Sequence, residues 1–288
     1  MVGGVRQRAR QRNAVVIGLD ALDCHGVLFP RGPGHCRAGP IPASSAAPAG
    51  TARRSNLPDT LVLLPGLLND AALWSHQLRH LDDLVQRIVV PDITRHADIG
   101  EIAGAVLAEV PGTFALAGLS MGGYVALEML RQAPDRVERL ALLDTSARAD
   151  SDEQRRRRTG LLQLADMGRF KGVTPRLLPM LVHPDRLDDP AVTGPIFEMA
   201  ARVGRDGFIR QQRAILSRAD SRELLPRIAC PTLVVCGRQD QLTPPSLSEE
   251  MAAAVPGATL EFVEHCGHLP ALEHPEATTA LLRRWLTA

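Results

Sequence analysis

The chain has 288 residues, 45% of them hydrophobic, with 33 Lys and Arg against 32 Asp and Glu. That composition belongs to a folded globular protein and excludes a disordered one. A formal charge of +1 offers no field to steer nucleic acid or an anionic membrane, so a small molecule is the expected partner.

The first 57 residues form a separate region in the sequence. Arg6, Arg8, Arg10 and Arg12 precede a short apolar run that Asp20 and Asp23 interrupt, which is too short for a secretory h-region. From Arg31 to Gly50 the chain is dominated by Gly, Pro, Ala and Ser, with too little periodic apolar surface to offset its ordering entropy. A disordered N-terminal tail contributing no strand is therefore expected over 1–57. Cys24-His25 and His35-Cys36 mirror each other there, but their spacing fits no common zinc site, and no metal is expected. Nowhere does an apolar run approach the ~18 residues of a membrane span. The five cysteines (Cys24, Cys36, Cys230, Cys236, Cys266) lack a CxxC pair and suit free thiols in a reducing cytosol, so a cytoplasmic location is expected.

Over 58–288 short β-rich runs alternate with helical patterns, as in parallel βαβ units. Strands are predicted at Thr60–Leu64, Arg87–Val90, Thr113–Ala117, Arg139–Leu143, Thr232–Cys236 and Thr259–Val263. Helices are predicted at Ala71–Leu81, Ile99–Glu109, Met121–Arg131, Ser246–Ala254 and Pro275–Leu286. The alternation stops over about 147–226, where helical periodicity continues without a convincing strand, so a helical insertion is expected over the strand ends. Arg155 to Arg158 open it, and read as a solvated helical face in preference to an anion-binding rim.

Gly118-Leu119-Ser120-Met121-Gly122-Gly123 follows one predicted strand and opens a helix. A G-x-S-x-G at such a junction raises a serine hydroxyl above a sheet, because small neighbours permit a tight, strained turn. That makes Ser120 the candidate nucleophile. A serine needs a base, and His268, in the loop after the last strand, is free to hang over the sheet. The base needs a carboxylate to fix its tautomer. Asp240, after Thr232–Cys236, is preferred, with Asp144 at the end of Arg139–Leu143 as the rival. Backbone amides of Met121 and of Leu67, after Pro65-Gly66, are the candidate oxyanion donors. Trp74, Met180 and Phe197 are candidate substrate-pocket residues, and Leu177, Leu178, Met180 and Leu181 are expected to roof the site.

With Pro65-Gly66-Leu67-Leu68, the Gly118–Gly123 turn, Gly237-Arg238-Gln239-Asp240 and Gly267-His268 in view, the chain from about Asp59 onward resembles the α/β-hydrolase superfamily. Within it, the chain looks most like bacterial 3-oxoadipate enol-lactonase-like enzymes and pimeloyl-ACP methyl ester esterases. The resemblance implies a mostly parallel eight-stranded sheet with helices on both faces and a helical cap before the acid loop. It also implies a cofactor-free serine hydrolase acting on a small ester or lactone. Many relatives carry His-Gly where this chain has Pro65-Gly66. Related epoxide hydrolases and haloalkane dehalogenases place Asp at the nucleophile position, where this chain has Ser120. A non-hydrolytic binding protein on the same fold, or an acyltransferase or perhydrolase using the same residues, are the alternative functions.

Overall fold

The computed structural model describes residues 57–288 and the backbone of Val15–Gly18. Seven strands form one sheet: β1 (Val15–Gly18), β2 (Thr60–Leu64), β3 (Arg87–Val90), β4 (Phe114–Leu119), β5 (Val137–Leu143), β6 (Thr232–Gly237) and β7 (Thr259–Val263). The helices are α1 (Ser75–His80), α2 (Ile99–Glu109), α3 (Met121–Gln132), α4 (Asp152–Asp166), α5 (Pro190–Ser217), α6 (Pro245–Ala254), α7 (Pro270–Glu273) and α8 (Pro275–Thr287).

The strand order is β1-β3-β2-β4-β5-β6-β7, and every neighbouring pair is parallel except β1 with β3. The described residues contain seven strands, and the eighth that the resemblance implies is not among them. The first 57 residues do contribute a strand, since Val15–Gly18 pairs antiparallel with β3, from Val15 opposite Val90 to Gly18 opposite Arg87. The mirrored Cys-His pairs lie outside the described residues.

Strands covered on both faces carry apolar side chains throughout. In β2, Leu61 and Leu63 enter one core with Trp74, Leu282 and Trp285, while Val62 and Leu64 enter the other with Ile102, Val125 and Met251. Side-chain alternation in a strand produces this split. Helix starts follow local capping chemistry: Asp98 accepts from the amides of Gly100 and Glu101 at the start of α2, and Ser151 with Gln154 forms a capping box at α4.

The topology creates a crevice. The chain places β3 outside β2, then crosses to lay β4 on the other side of β2. At such a switch point the loops leaving adjacent strands diverge, and ligands bind at the carboxyl ends. Here those are the loops after β2 and β4. Between β5 and β6 lie α4, α5 and three single-turn 3-10 helices, with no strand among the described residues. Helix α5 is kinked at Gly204, whose φ is 66°.

Candidate active site

Ser120 occupies the turn from β4 into α3 with φ 55° and ψ −115°. A non-glycine residue holds such a conformation only where its surroundings over-determine it. The Ser120 amide donates to Leu143 O at 2.9 Å, and its carbonyl accepts from Thr145 Oγ1 at 2.7 Å and from the Gly123 amide at 2.9 Å. A Cβ on Gly118 would strike Gly122 O, and one on Gly122 would strike Leu64 O. The turn after β4 therefore packs backbone against backbone on the turn after β2, which only glycine permits.

His268 is buried in the loop after β7. Its Nε2 lies 2.9 Å from Ser120 Oγ and its Nδ1 lies 2.8 Å from Asp240 Oδ2. Asp240 is also buried. Its Oδ1 accepts from the amides of Leu242 and Thr243 at 2.8 and 3.1 Å, and its Oδ2 accepts from Thr243 Oγ1 at 2.6 Å. Burial by itself would raise this carboxyl's pKa. The charge and hydrogen bond of His268, with the Thr243 donors, outweigh burial and hold it below the ordinary value.

Asp144 lies near this pair, at the end of β5, with φ 43°. Its Oδ1 accepts from the Gly237 amide at 2.8 Å and its Oδ2 has no partner. Complete burial, then the charge of Asp240, push it well above the ordinary carboxyl range, and its hydrogen bond to Gly237 joins β5 to β6. Burial also pushes the Cys236 and Cys266 thiols upward, which leaves them inert as nucleophiles.

The turn after β2 runs from Gly66 to Asn69, closed by the Asn69 amide on Gly66 O at 3.1 Å. Leu67 is its second residue, where an amide has no partner inside the turn. Leu68 follows at φ 60°, held by its amide donating to the buried Gln211 Oε1 of α5 at 3.0 Å. A Cβ on Gly66 would lie 3.5 Å from Ser120 Cβ, so this turn abuts the serine. Met121 opens α3, where the first amides have no helical acceptor. The turn after β2 and the start of α3 therefore both border Ser120.

Residues 61–281 match the alpha/beta hydrolase family. The chain belongs to that family. A pimeloyl-[acyl-carrier protein] methyl ester esterase from Neisseria meningitidis serogroup A is 31% identical over 230 residues, covering 73% of each chain. Among solved structures, a thermophilic esterase from Thermogutta terrifontis, with malate bound, matches with TM-score 0.72 and 31% identity over 79% of this chain and 89% of that one. The enol-lactonase from Burkholderia xenovorans LB400 matches with TM-score 0.69 and 26% identity, covering 82% of this chain and 94% of that one.

In this alpha/beta hydrolase the cavity that reaches Ser120 and His268 measures about 690 Å³, within the range of small-molecule sites. Its walls differ from those expected. Trp74 is fully buried in one of the two cores, and neither Met180 nor Phe197 lines the cavity. The Leu177–Leu181 segment is not its roof either. It backs the histidine loop: Leu181 O accepts from the His268 amide at 3.0 Å, and a Cβ on Gly267 would collide with Val182. Helix α4 and the loop before it form the wall, through Leu161, Arg157 and Arg158 among others. The Arg155–Arg158 run is thus not wholly a solvated face, because its last two residues turn toward the cavity while Arg155 donates to Leu216 O.

Two supporting residues carry no sequence motif. Glu273, buried in α7, accepts from the amides of Gly267, Leu269 and His183 at 3.0, 3.1 and 2.6 Å, which fixes the loop bearing His268. Gln211 does the same for the turn bearing Leu67. Only the long-range fold reveals either role.

Proposed function

We propose that the protein is a serine hydrolase of small carboxylic esters or lactones, acting through an acyl-enzyme on Ser120. The observation that carries this reading is the continuous relay from Ser120 Oγ to His268 Nε2 at 2.9 Å and from His268 Nδ1 to Asp240 Oδ2 at 2.8 Å. As Oγ attacks the ester carbonyl carbon, His268 Nε2 takes its proton, and Asp240 keeps the other proton on Nδ1 and stabilises the imidazolium. The carbonyl oxygen, now negative, receives hydrogen bonds from the amides of Met121 and Leu67. One such donor typically contributes ~2.7–4 kcal/mol to lowering the barrier. Collapse of the tetrahedral intermediate breaks the bond to the alkoxy oxygen, which leaves with the proton from His268. Water then gives a proton to His268, attacks the acyl carbon, and releases the acid with Ser120 restored.

The esterase and enol-lactonase relatives support the bond type, and no helix among the described residues is long and apolar enough to cross a membrane. A cytoplasmic setting is consistent with the free thiols of Cys230, Cys236 and Cys266. The test is labelling by a fluorophosphonate together with turnover of p-nitrophenyl acetate. Both are expected for the wild type and neither for Ser120→Ala. Wild-type turnover by purified Ser120→Ala would refute the reading.

A further inference from the structure

The cavity wall beside Ser120 is unusually cationic, with five arginines and three acids among its lining residues. Two of the arginines are matched: Arg148 forms a bidentate pair with Glu250 and Arg222 one with Asp220. The others are not. Asp150, whose side chain is fully buried, serves both Arg158 and Arg218. Arg158 Nε donates to Asp150 Oδ2 at 2.8 Å and its Nη1 donates to Gln212 Oε1 at 2.9 Å. Arg218 Nη2 lies 2.8 Å from Asp150 Oδ1, an ion pair whose alignment falls short of a hydrogen bond. Its Nε and Nη1 donate to the carbonyls of Arg148 and Ile215, and its guanidinium lies 4.0 Å over the Tyr124 ring.

One carboxylate against two guanidiniums leaves a positive charge set into the wall. Arg157, next along α4, lines the same cavity and has no hydrogen bond or ion pair among the described residues. Glu153, four residues before Arg157 on α4, also lines the cavity and is exposed, with no ion pair among the described residues, and Asp220 is already engaged by Arg222. Two arginines on one buried carboxylate leave a surplus cation that carbonyls and the Tyr124 ring solvate in part, and a further anion would complete its neutralisation. Guanidinium forks match a carboxylate in geometry and stay charged at any working pH.

We propose that this wall is an anion subsite, and that the enzyme takes an ester carrying a second, ionised carboxylate, held by Arg157 beside the Arg158 guanidinium while the ester carbonyl lies at Ser120. The proposal rests on the serine-hydrolase reading for its reaction, but its binding half stands apart from turnover. The anion is bound at both ends of the reaction, so the charge would sharpen KM more than kcat.

The test has a binding arm and a kinetic arm. Calorimetry with adipate as probe reads the subsite without catalysis. We expect saturable binding to wild type and to Ser120→Ala, weakening at high salt as screening requires. Arg157→Glu is expected to abolish it, and Arg156→Ala, one position along α4 and outside the cavity lining, to leave it unchanged. The kinetic arm compares monomethyl adipate with its neutral dimethyl ester. Wild type is expected to favour the monoester, and Arg157→Ala to lower the monoester-to-diester ratio of kcat/KM about tenfold or more, the loss of one charge-assisted hydrogen bond. Absence of adipate binding, or an unchanged ratio in Arg157→Ala, overturns the subsite even if neutral esters are turned over. Failure of fluorophosphonate labelling with adipate binding intact would instead overturn the serine-hydrolase reading.

Discussion

Replacement of Asp240 by Asn tests the relay most sharply, because the surrounding hydrogen bonds dictate how the new side chain sits. The amides of Leu242 and Thr243 both donate to Oδ1, so the Asn carbonyl oxygen is held there. The NH₂ group then takes the position of Oδ2, 2.8 Å from His268 Nδ1. Facing a donor, the imidazole must accept at Nδ1 and carry its proton on Nε2. That nitrogen can no longer take the proton of Ser120. In serine triads this inversion costs ~10⁴ in rate, or about 5 kcal/mol in the barrier. We expect kcat/KM for p-nitrophenyl acetate to fall by that order, while the near-isosteric change leaves the melting temperature within a few degrees. Because Asp240 is held below the ordinary carboxyl range, wild type should not lose activity by its protonation near neutral pH. A loss under tenfold in Asp240→Asn, or a larger loss in Asp144→Asn, would show that the acid has been misassigned.

Asp144→Asn is expected to leave turnover nearly intact but to change the pH dependence of stability. The folded-state pKa of Asp144 is raised, so above the unfolded value near 3.8 the unfolded chain releases a proton that the folded chain keeps, and stability falls as pH rises toward the folded value. Urea unfolding from pH 4 to 7 should therefore show the variant gaining on wild type, and parallel curves would refute a protonated Asp144. Glu273→Gln should leave at least one loop amide without an acceptor, costing about 1–3 kcal/mol, with a lower melting temperature and a lower kcat as His268 loses its support. An unaltered melting temperature would count against that role. Removal of residues 1–56 takes away β1 and uncovers the edge of β3, so aggregation on light scattering is expected; a monodisperse truncated protein with wild-type melting would argue against that pairing.

Much of the fold was legible because its determinants are local. Runs such as Thr60–Leu64 are apolar on both strand faces, which signals a covered parallel strand. Gly118 and Gly122 announce a turn that no side chain could enter, so the position of Ser120 could be read from six consecutive residues. Asp240 and His268 followed from their places after the last two strands. The boundary of α1 was less legible, since Ala71–Trp74 winds as a 3-10 turn before the helix at Ser75–His80. Capping by Asp70 and packing of Trp74 set that geometry, and neither alters the apolar spacing.

What the sequence alone determined, then, is the order of strands and helices and the residues whose backbone must be strained or small, because adjacent residues encode those constraints. Tertiary structure decided everything that depends on which distant groups become neighbours. Four apolar residues at Val15–Gly18 become a strand only against β3. Gln211 reaches the Leu68 amide across 143 positions of chain. Asp150, Arg158 and Arg218 share no local pattern, and only the folded chain buries a single carboxylate between the two guanidiniums. A charge's role depends on the solvent and partners that remain to it after folding, and no local pattern in the chain records those.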